Sequence, residues 1–415
     1  MLARSSTLAP LAAILLSLSV YGCTAPSTPA SDTTQDAAPP MDAVSTPEDG
    51  GNTAGGSKLR NVDVTVLFPL PADAQQAKRW MGADTQARDS LLLPDSVLAG
   101  GQVPELDERS PIASAAERRA SLRVVAVRFD PCPGVLLPAQ DASACTPNVR
   151  LVFQSMRVQR GAFGAADGAL HAFYSLNKED FSSIVAKLRV LRATYASAPP
   201  QPLGVRAELE TEGVDGAYGN QLRALLTEFL SASQLVRITQ FHRTNARRVT
   251  WEFSQRDKVN GAWTDSLVPT TSAARQQLST ISGGRWDADI TPPLTHADDP
   301  TRAFKETTQS KMAEAFEHTL RALNPRIHSS ESIDCSSCHI ATDVAVFLQK
   351  TQKFSINNGP NAFNSSYPLD GTFKSEDASF GFENMHMLSY TGTQLGLSIR
   401  VVNETAAVLE QLNAD

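Results

Sequence analysis

Cys335-Ser336-Ser337-Cys338-His339 is the stretch around which the rest of the chain organises itself. Two thiols three positions apart, with an imidazole directly after the second, have the spacing that attaches c-type haem. Each thiol adds to one vinyl group, and the histidine sits under the iron as its proximal ligand. Other uses of these residues stay open. Zinc could take Cys335, Cys338, His339 and His328, although no second Cys-x-x-Cys completes a structural site. A thioredoxin-like dithiol needs a βαβ setting, which the helical flanks do not provide. A plain Cys335–Cys338 disulfide in a haem-free protein needs nothing further.

Working outward, Pro292, Pro293 and Asp298-Asp299-Pro300 mark a boundary. Phe304, Thr308, Met312, Phe316 and Leu320 recur every four residues and predict a helix over 302–323, ended by Asn324-Pro325. The pentapeptide opens a second helix through 341–350. A loop rich in Asn, Ser, Gly and aromatic residues covers 352–384. A last helix over 404–412 takes Asn403 as its cap.

This order of helix, Cys-x-x-Cys-His, long loop, ligand segment and terminal helix resembles a class I-type cytochrome c over residues 300–415. The resemblance implies a small, mainly α-helical haem domain. It makes Cys335 and Cys338 the thioether cysteines, His339 the proximal ligand, and a later methionine the distal ligand. The segment Asn384-Met385-His386-Met387-Leu388 supplies the candidates. If it is extended, Met385 and Met387 point one way and His386 the other. The order of preference is Met387, His386, Met385, with His328 or an open site behind them. A thioether raises the potential of such an iron and an imidazole lowers it.

Residues 58–295 read as an α+β domain whose role the sequence does not give. Alternating or valine-rich runs predict strands at 62–68, 122–129 and 149–158. Between the last two, proline-flanked Cys132 and Cys145 sit where the strands leave and re-enter the sheet, so a disulfide there staples a hairpin. Asn177 caps a helix over 178–195, a second helix covers 218–230, and strands follow at 235–241, 248–253 and 262–268. No phosphate-binding loop, Gly-x-Ser-x-Gly elbow or His-Glu-x-x-His pair occurs here. His171, His242 and His296 stand singly and read as structural.

Near its start the chain of 415 residues has Arg4 and an apolar run at 11–20, too short to span a bilayer and typical of an export leader. Val20-Tyr21-Gly22-Cys23 resembles the lipobox of bacterial lipoproteins, which implies that residues 1–22 are removed and that Cys23 carries lipid. With Cys23 lipidated, the other four of the five cysteines fall into two pairs. Residues 23–57 form an acidic tether without aromatic residues, too poor in apolar side chains to order itself. Losing Arg4 moves the formal charge from −7 to −8, and the five tether carboxylates leave −3 on residues 58–415. A body so nearly neutral gives no reason to expect nucleic acid as partner.

The expectation is therefore a lipid-anchored protein facing the periplasm or the cell surface, with the outer membrane favoured. It carries one haem c and passes electrons to a redox protein without catalysing a reaction. The alternatives are a haem-free structural lipoprotein, and a haem peroxidase or oxidase in which His386 acts as acid or base.

Overall fold

The computed structural model describes residues 57–98, 114–132, 145–159, 162–196, 201–244, 249–280, 288–365 and 385–414. The leader, Cys23, nearly all of the tether and much of the 352–384 loop lie outside them.

An antiparallel sheet of ten strands dominates the described residues. Its main path runs β1 (Thr65–Leu67), β2 (Leu122–Asp130), β3 (Asn148–Gln159), β5 (Gly168–Ser175), β6 (Leu235–Thr244), β7 (Val249–Val259), β9 (Arg275–Thr280) and β10 (Ala288–Thr291). Two shorter strands extend it, β4 (Ala162–Ala165) on β3 and β8 (Ala262–Ser266) on β7. A separate hairpin pairs β11 (Leu388–Thr391) with β12 (Gln394–Leu397). The β2–β3 register sets Phe129 opposite Val149 and Asp130 opposite Asn148. The Cys132–Cys145 disulfide closes that hairpin where the prolines led us to expect it, with its Cα atoms 5.3 Å apart.

Helices cover both faces. The N-terminal part holds four short ones, α1 (Asn61–Val64), α2 (Ala74–Ala77), α3 (Asp95–Leu98) and α4 (Ala115–Ser121). Then come α5 (Lys178–Thr194), α6 (Ala207–Glu212) and α7 (Ala217–Phe229). The C-terminal part holds α8 (Arg302–Lys305), α9 (Gln309–Leu323), α10 (Cys335–Gln352) and α11 (Ile399–Leu412). Asn177 caps α5 by accepting from the Asp180 N–H at 2.7 Å.

Strand alternation sorts the sheet residues between two cores. Phe129, Leu151, Phe153, Leu170, Ala172 and Tyr174 pack with Ile184 and Leu188 of α5 and Leu222 and Leu226 of α7. On the opposite face, Val152, Phe241, Trp251, Phe253 and Leu278 pack with Phe316 and Leu320 of α9, Ile340 and Val344 of α10, and Val401 and Val402 of α11.

This arrangement overturns the expected fold class. Among the described residues there is no α+β domain followed by a small, mainly helical domain over 300–415; one large antiparallel sheet dominates. The C-terminal helices are the second covering layer of the large sheet, because their apolar stripes are buried by sheet residues rather than by one another alone. Three local expectations are corrected as well. The strand expected at 62–68 covers only Thr65–Leu67, because Asn61–Val64 form helix α1. The 302–323 helix breaks between α8 and α9, where Glu306 takes up extended dihedrals. The last helix starts at Ile399 rather than Glu404, capped by the Ser398 hydroxyl, which accepts from the Val401 N–H at 3.2 Å.

Helix α11 reaches both cores, giving Ile399, Val401 and Val402 to one and Val408, Leu409 and Leu412 to the other. Just past it, Asn413 clasps the first described segment. Leu59 N–H donates to its Oδ1 at 2.9 Å, and its Nδ2 donates to Leu59 O at 3.0 Å.

Candidate functional site

The pentapeptide forms the first turn of α10, and Asp334 is the reason the helix starts there. Ser337 N–H donates to Asp334 Oδ1 at 2.9 Å, satisfying one of the free amides of the first turn. Gln276, on β9, pins the turn to the sheet from two sides. Its Nε2 donates to Asp334 Oδ1 at 2.7 Å and its Oε1 accepts from Ser336 N–H at 2.9 Å. His296 adds a third hold: its Nδ1 accepts from Asp298 N–H, so its Nε2 donates to Asp334 Oδ2 at 2.7 Å.

Helical spacing i, i+3, i+4 puts Cys335, Cys338 and His339 on one face. All three line a cleft of about 640 Å³, open mouth included, between α10, the start of α11 and the sheet. Across from them stand Arg150, His171, Thr239 and Gln255 from β3, β5, β6 and β7, with Met387 and Glu404 at the sides. The enclosed part of it is only about 90 Å³, well below the roughly 300–1,000 Å³ of ordinary ligand clefts.

His339 is fully oriented. Its Nδ1 lies 2.6 Å from Met385 O, and because a carbonyl only accepts, that nitrogen carries the proton. The lone pair is left on Nε2. The rings of Phe241 and Phe253 each lie 4.9 Å from the imidazole. Burial holds its pKa down at about 4, so the ring is neutral at pH 7.

Both thiols are free. Burial, helped by Asp334, pushes Cys335 up, and burial pushes Cys338 up to about 11. Neither is a thiolate at neutral pH, which removes the basis of a reactive dithiol.

The three distal candidates separate. Met387 lines the cleft. Met385 is buried in the sheet–helix core and contributes its carbonyl to His339. His386 bonds Ser389 Oγ through Nδ1 at 2.8 Å and packs on Phe241 and Trp251, with ring centroids 5.1 and 5.9 Å away. His328 is engaged elsewhere, with Nε2 2.7 Å from Asp298 Oδ2 and Nδ1 3.2 Å from Ser332 O.

A charged wall was missed in the sequence. Glu404 bridges Arg128 and Arg400, the latter at 2.8 Å. Burial pushes its carboxyl up, but the two guanidiniums outweigh burial and hold it well below the usual carboxylate range. Burial, reinforced by Arg150, keeps His171 neutral. Arginines within the valine-rich runs at 122–129 and 149–158 were the available signal, since a guanidinium on a two-sided buried strand needs a partner.

Among the described residues no group of three or more His, Cys, Asp and Glu is arranged to hold a bare metal ion, and no helix is long and apolar enough to cross a membrane. Comparison with protein families, curated proteins and solved structures finds no match.

The residue types present, though not the cleft's enclosed space of about 90 Å³, suit covalent haem on three counts. Both thiols and the imidazole face one cleft. The imidazole is held by a backbone carbonyl through the nitrogen that iron does not use, the usual support of a ligating histidine. A thioether lines the same cleft.

Proposed function

We propose that this chain carries one haem, bound through thioether links at Cys335 and Cys338, and serves as an exported, lipid-anchored electron carrier. The observation that carries the proposal is the convergence of Cys335, Cys338, His339 and Met387 on one cleft, with His339 fixed through Nδ1 by Met385 O. When bound, the haem supplies a reversible one-electron couple.

The chain's own part is to hold, orient and shield. The carbonyl of Met385 fixes the ring plane of His339 and its tautomer, and it makes Nε2 a better donor. Met387 lines the cleft and would be the chain's candidate to supply a thioether ligand to the bound haem. Phe241 and Phe253 pack on the imidazole, and Leu388 and Val401 line the cleft beside a polar wall of Arg150, His171, Asp334 and Glu404. With His386 packed on Phe241 and Trp251, the acid or base that a peroxidase needs is not supplied by that residue. Anchoring through Cys23 and delivery of electrons to a redox protein at the membrane rest on the leader and lipobox.

The test is a reduced-minus-oxidised spectrum with a pyridine haemochrome assay, on the full chain expressed beside a cytochrome c maturation system. A covalent c-type signal lost in Cys335→Ala/Cys338→Ala supports the proposal. Absence of haem in the wild-type chain refutes it. Radiolabelled palmitate should enter the wild-type chain and not Cys23→Ser.

A further inference from the structure

A second hollow, of about 320 Å³, opens where β3 begins and β5 ends. It lies on the same face of the sheet as the thiol cleft. Asn148 pairs with Ser175 at the hollow, as Arg150 pairs with Phe173 one row further in, and alternate strand residues share a face. That volume is at the low end of ordinary ligand clefts.

Asn148 is 7 % exposed, and its Oδ1 is buried with no hydrogen-bond partner among the described residues. A buried carboxamide oxygen left in that state costs free energy until a ligand or water reaches it. Rotation about its Cβ–Cγ bond presents either the oxygen or the NH2 group to the hollow. Ser175 stands directly opposite on β5, and Thr146 lies two residues before Asn148. Both line the hollow, and neither hydroxyl is bonded among the described residues. Phe173 and Val236 add apolar surface. Val236 is the extra residue of a bulge, since Phe173 pairs with Arg237 and Tyr174 with Leu235.

These groups narrow the ligand's chemistry. Arg237 forks onto Asp257 at 2.6 and 3.4 Å and also binds Glu331, so no free cation lines the hollow to hold an anion. Glu331 is half exposed and solvated, so a cationic ligand gains little from it. At the hollow β3 lies between β2 and β5, β5 between β3 and β6, β6 between β5 and β7, and β7 between β6 and β8. An extended peptide therefore finds no open strand edge to join. What is offered is a row of neutral groups that both donate and accept, beside a small apolar patch. Hydroxyls, which also do both, are their complement.

We infer that this hollow binds a neutral polyhydroxylated ligand, a single sugar unit, through Thr146, Asn148 and Ser175. Only Phe173 is shared with the thiol cleft, and the inference does not rest on the haem reading.

The experiment is saturation-transfer NMR on the full chain, with glucose, galactose and N-acetylglucosamine as probes and glycerol as control. At least one sugar should show transfer and glycerol should show far less. Titration should find that sugar bound about five- to tenfold more weakly by Ser175→Ala and by Thr146→Val, the worth of one neutral hydrogen bond. Asn148→Leu, which removes both a donor and an acceptor, should abolish the signal. Absence of transfer to all three sugars overturns the inference. So does glycerol binding as well as the sugars, which marks an adventitious additive only, and so does sugar binding unchanged in the variants. Should Asn148→Leu not fold, Ser175→Ala and Thr146→Val decide: unchanged affinity in both overturns the inference.

Discussion

Glu404→Gln removes the carboxylate that two buried guanidiniums share. The Arg128 and Arg400 side chains are each 1 % exposed and Glu404 is 15 % exposed, so water compensates little of the loss. Breaking a buried ion pair from one side costs about 3–5 kcal/mol, because the remaining charge stays buried. Here the arginines keep other acceptors, Val401 O and Thr405 Oγ1 for one and Ala322 O and His328 O for the other. What disappears is charge compensation rather than every hydrogen bond, which places the expectation near the lower end, at about 3 kcal/mol. In urea at pH 7, with an m-value of about 3 kcal/mol/M for a body of this size, the midpoint should fall by about 1 M with m unchanged. Because the folded carboxyl is held below its ordinary range, its contribution is present above that range and is lost as pH falls through it. The variant should therefore lose less stability than wild type on acidification. A loss below about 1 kcal/mol, the worth of an exposed pair, refutes the reasoning.

Other outcomes are equally open to measurement. Burial pushes the Asp298 carboxyl up, but hydrogen bonds from His318, His328 and Arg321 outweigh it and hold its pKa at about 2. Its stabilisation is present above about pH 4 and fades between about pH 4 and 2, so Asp298→Asn should flatten circular-dichroism acid unfolding there; parallel curves contradict this. Cys132→Ser/Cys145→Ser opens a short loop closed by the disulfide and should cost about 3 kcal/mol in urea unfolding, with reductant abolishing the difference. Met387→Ala should change the visible spectrum and potential of the matured protein, whereas Met385→Ala and His386→Ala should alter stability more than the spectrum; the reverse pattern removes Met387 from the sixth position. Gly396→Ala puts a Cβ 2.6 Å from the His386 carbonyl oxygen, and should destabilise the β11–β12 hairpin enough to lower the thermal midpoint measurably.

Local chemistry made part of this fold legible in the sequence. Valine-rich runs gave β2 and β3, proline-flanked cysteines gave their staple, Asn177 gave the start of α5, and the pentapeptide gave a helix start and a cleft-facing triad. Polar strands escaped notice. In β9 the inward positions are Gln276, Leu278 and Thr280, and Gln276 can be buried because Asp334 accepts from its amide nitrogen and the Ser336 N–H donates to its amide oxygen. The start of α11 was misjudged for a similar reason, since Arg400 and Glu404 look like surface charges until Arg128 is opposite them. The largest error, a free-standing helical domain, has a simple cause. An amphipathic stripe declares that a helix covers something apolar but not which surface it covers.

The clasp between Asn413 and Leu59, together with a last helix rooted in two cores, bears on how this architecture can be inherited. A module that travels between proteins has a seam where few interactions cross. Residues 300–415 have none: cutting there strips one face of the sheet, removes Glu404 from Arg128, and leaves Gln276 with no turn to grip. The Cys-x-x-Cys-His turn is therefore not a cassette. Cutting the chain at the apparent boundary near Pro300 would open the second core and uncover the part of the first that Val408, Leu409 and Leu412 cover.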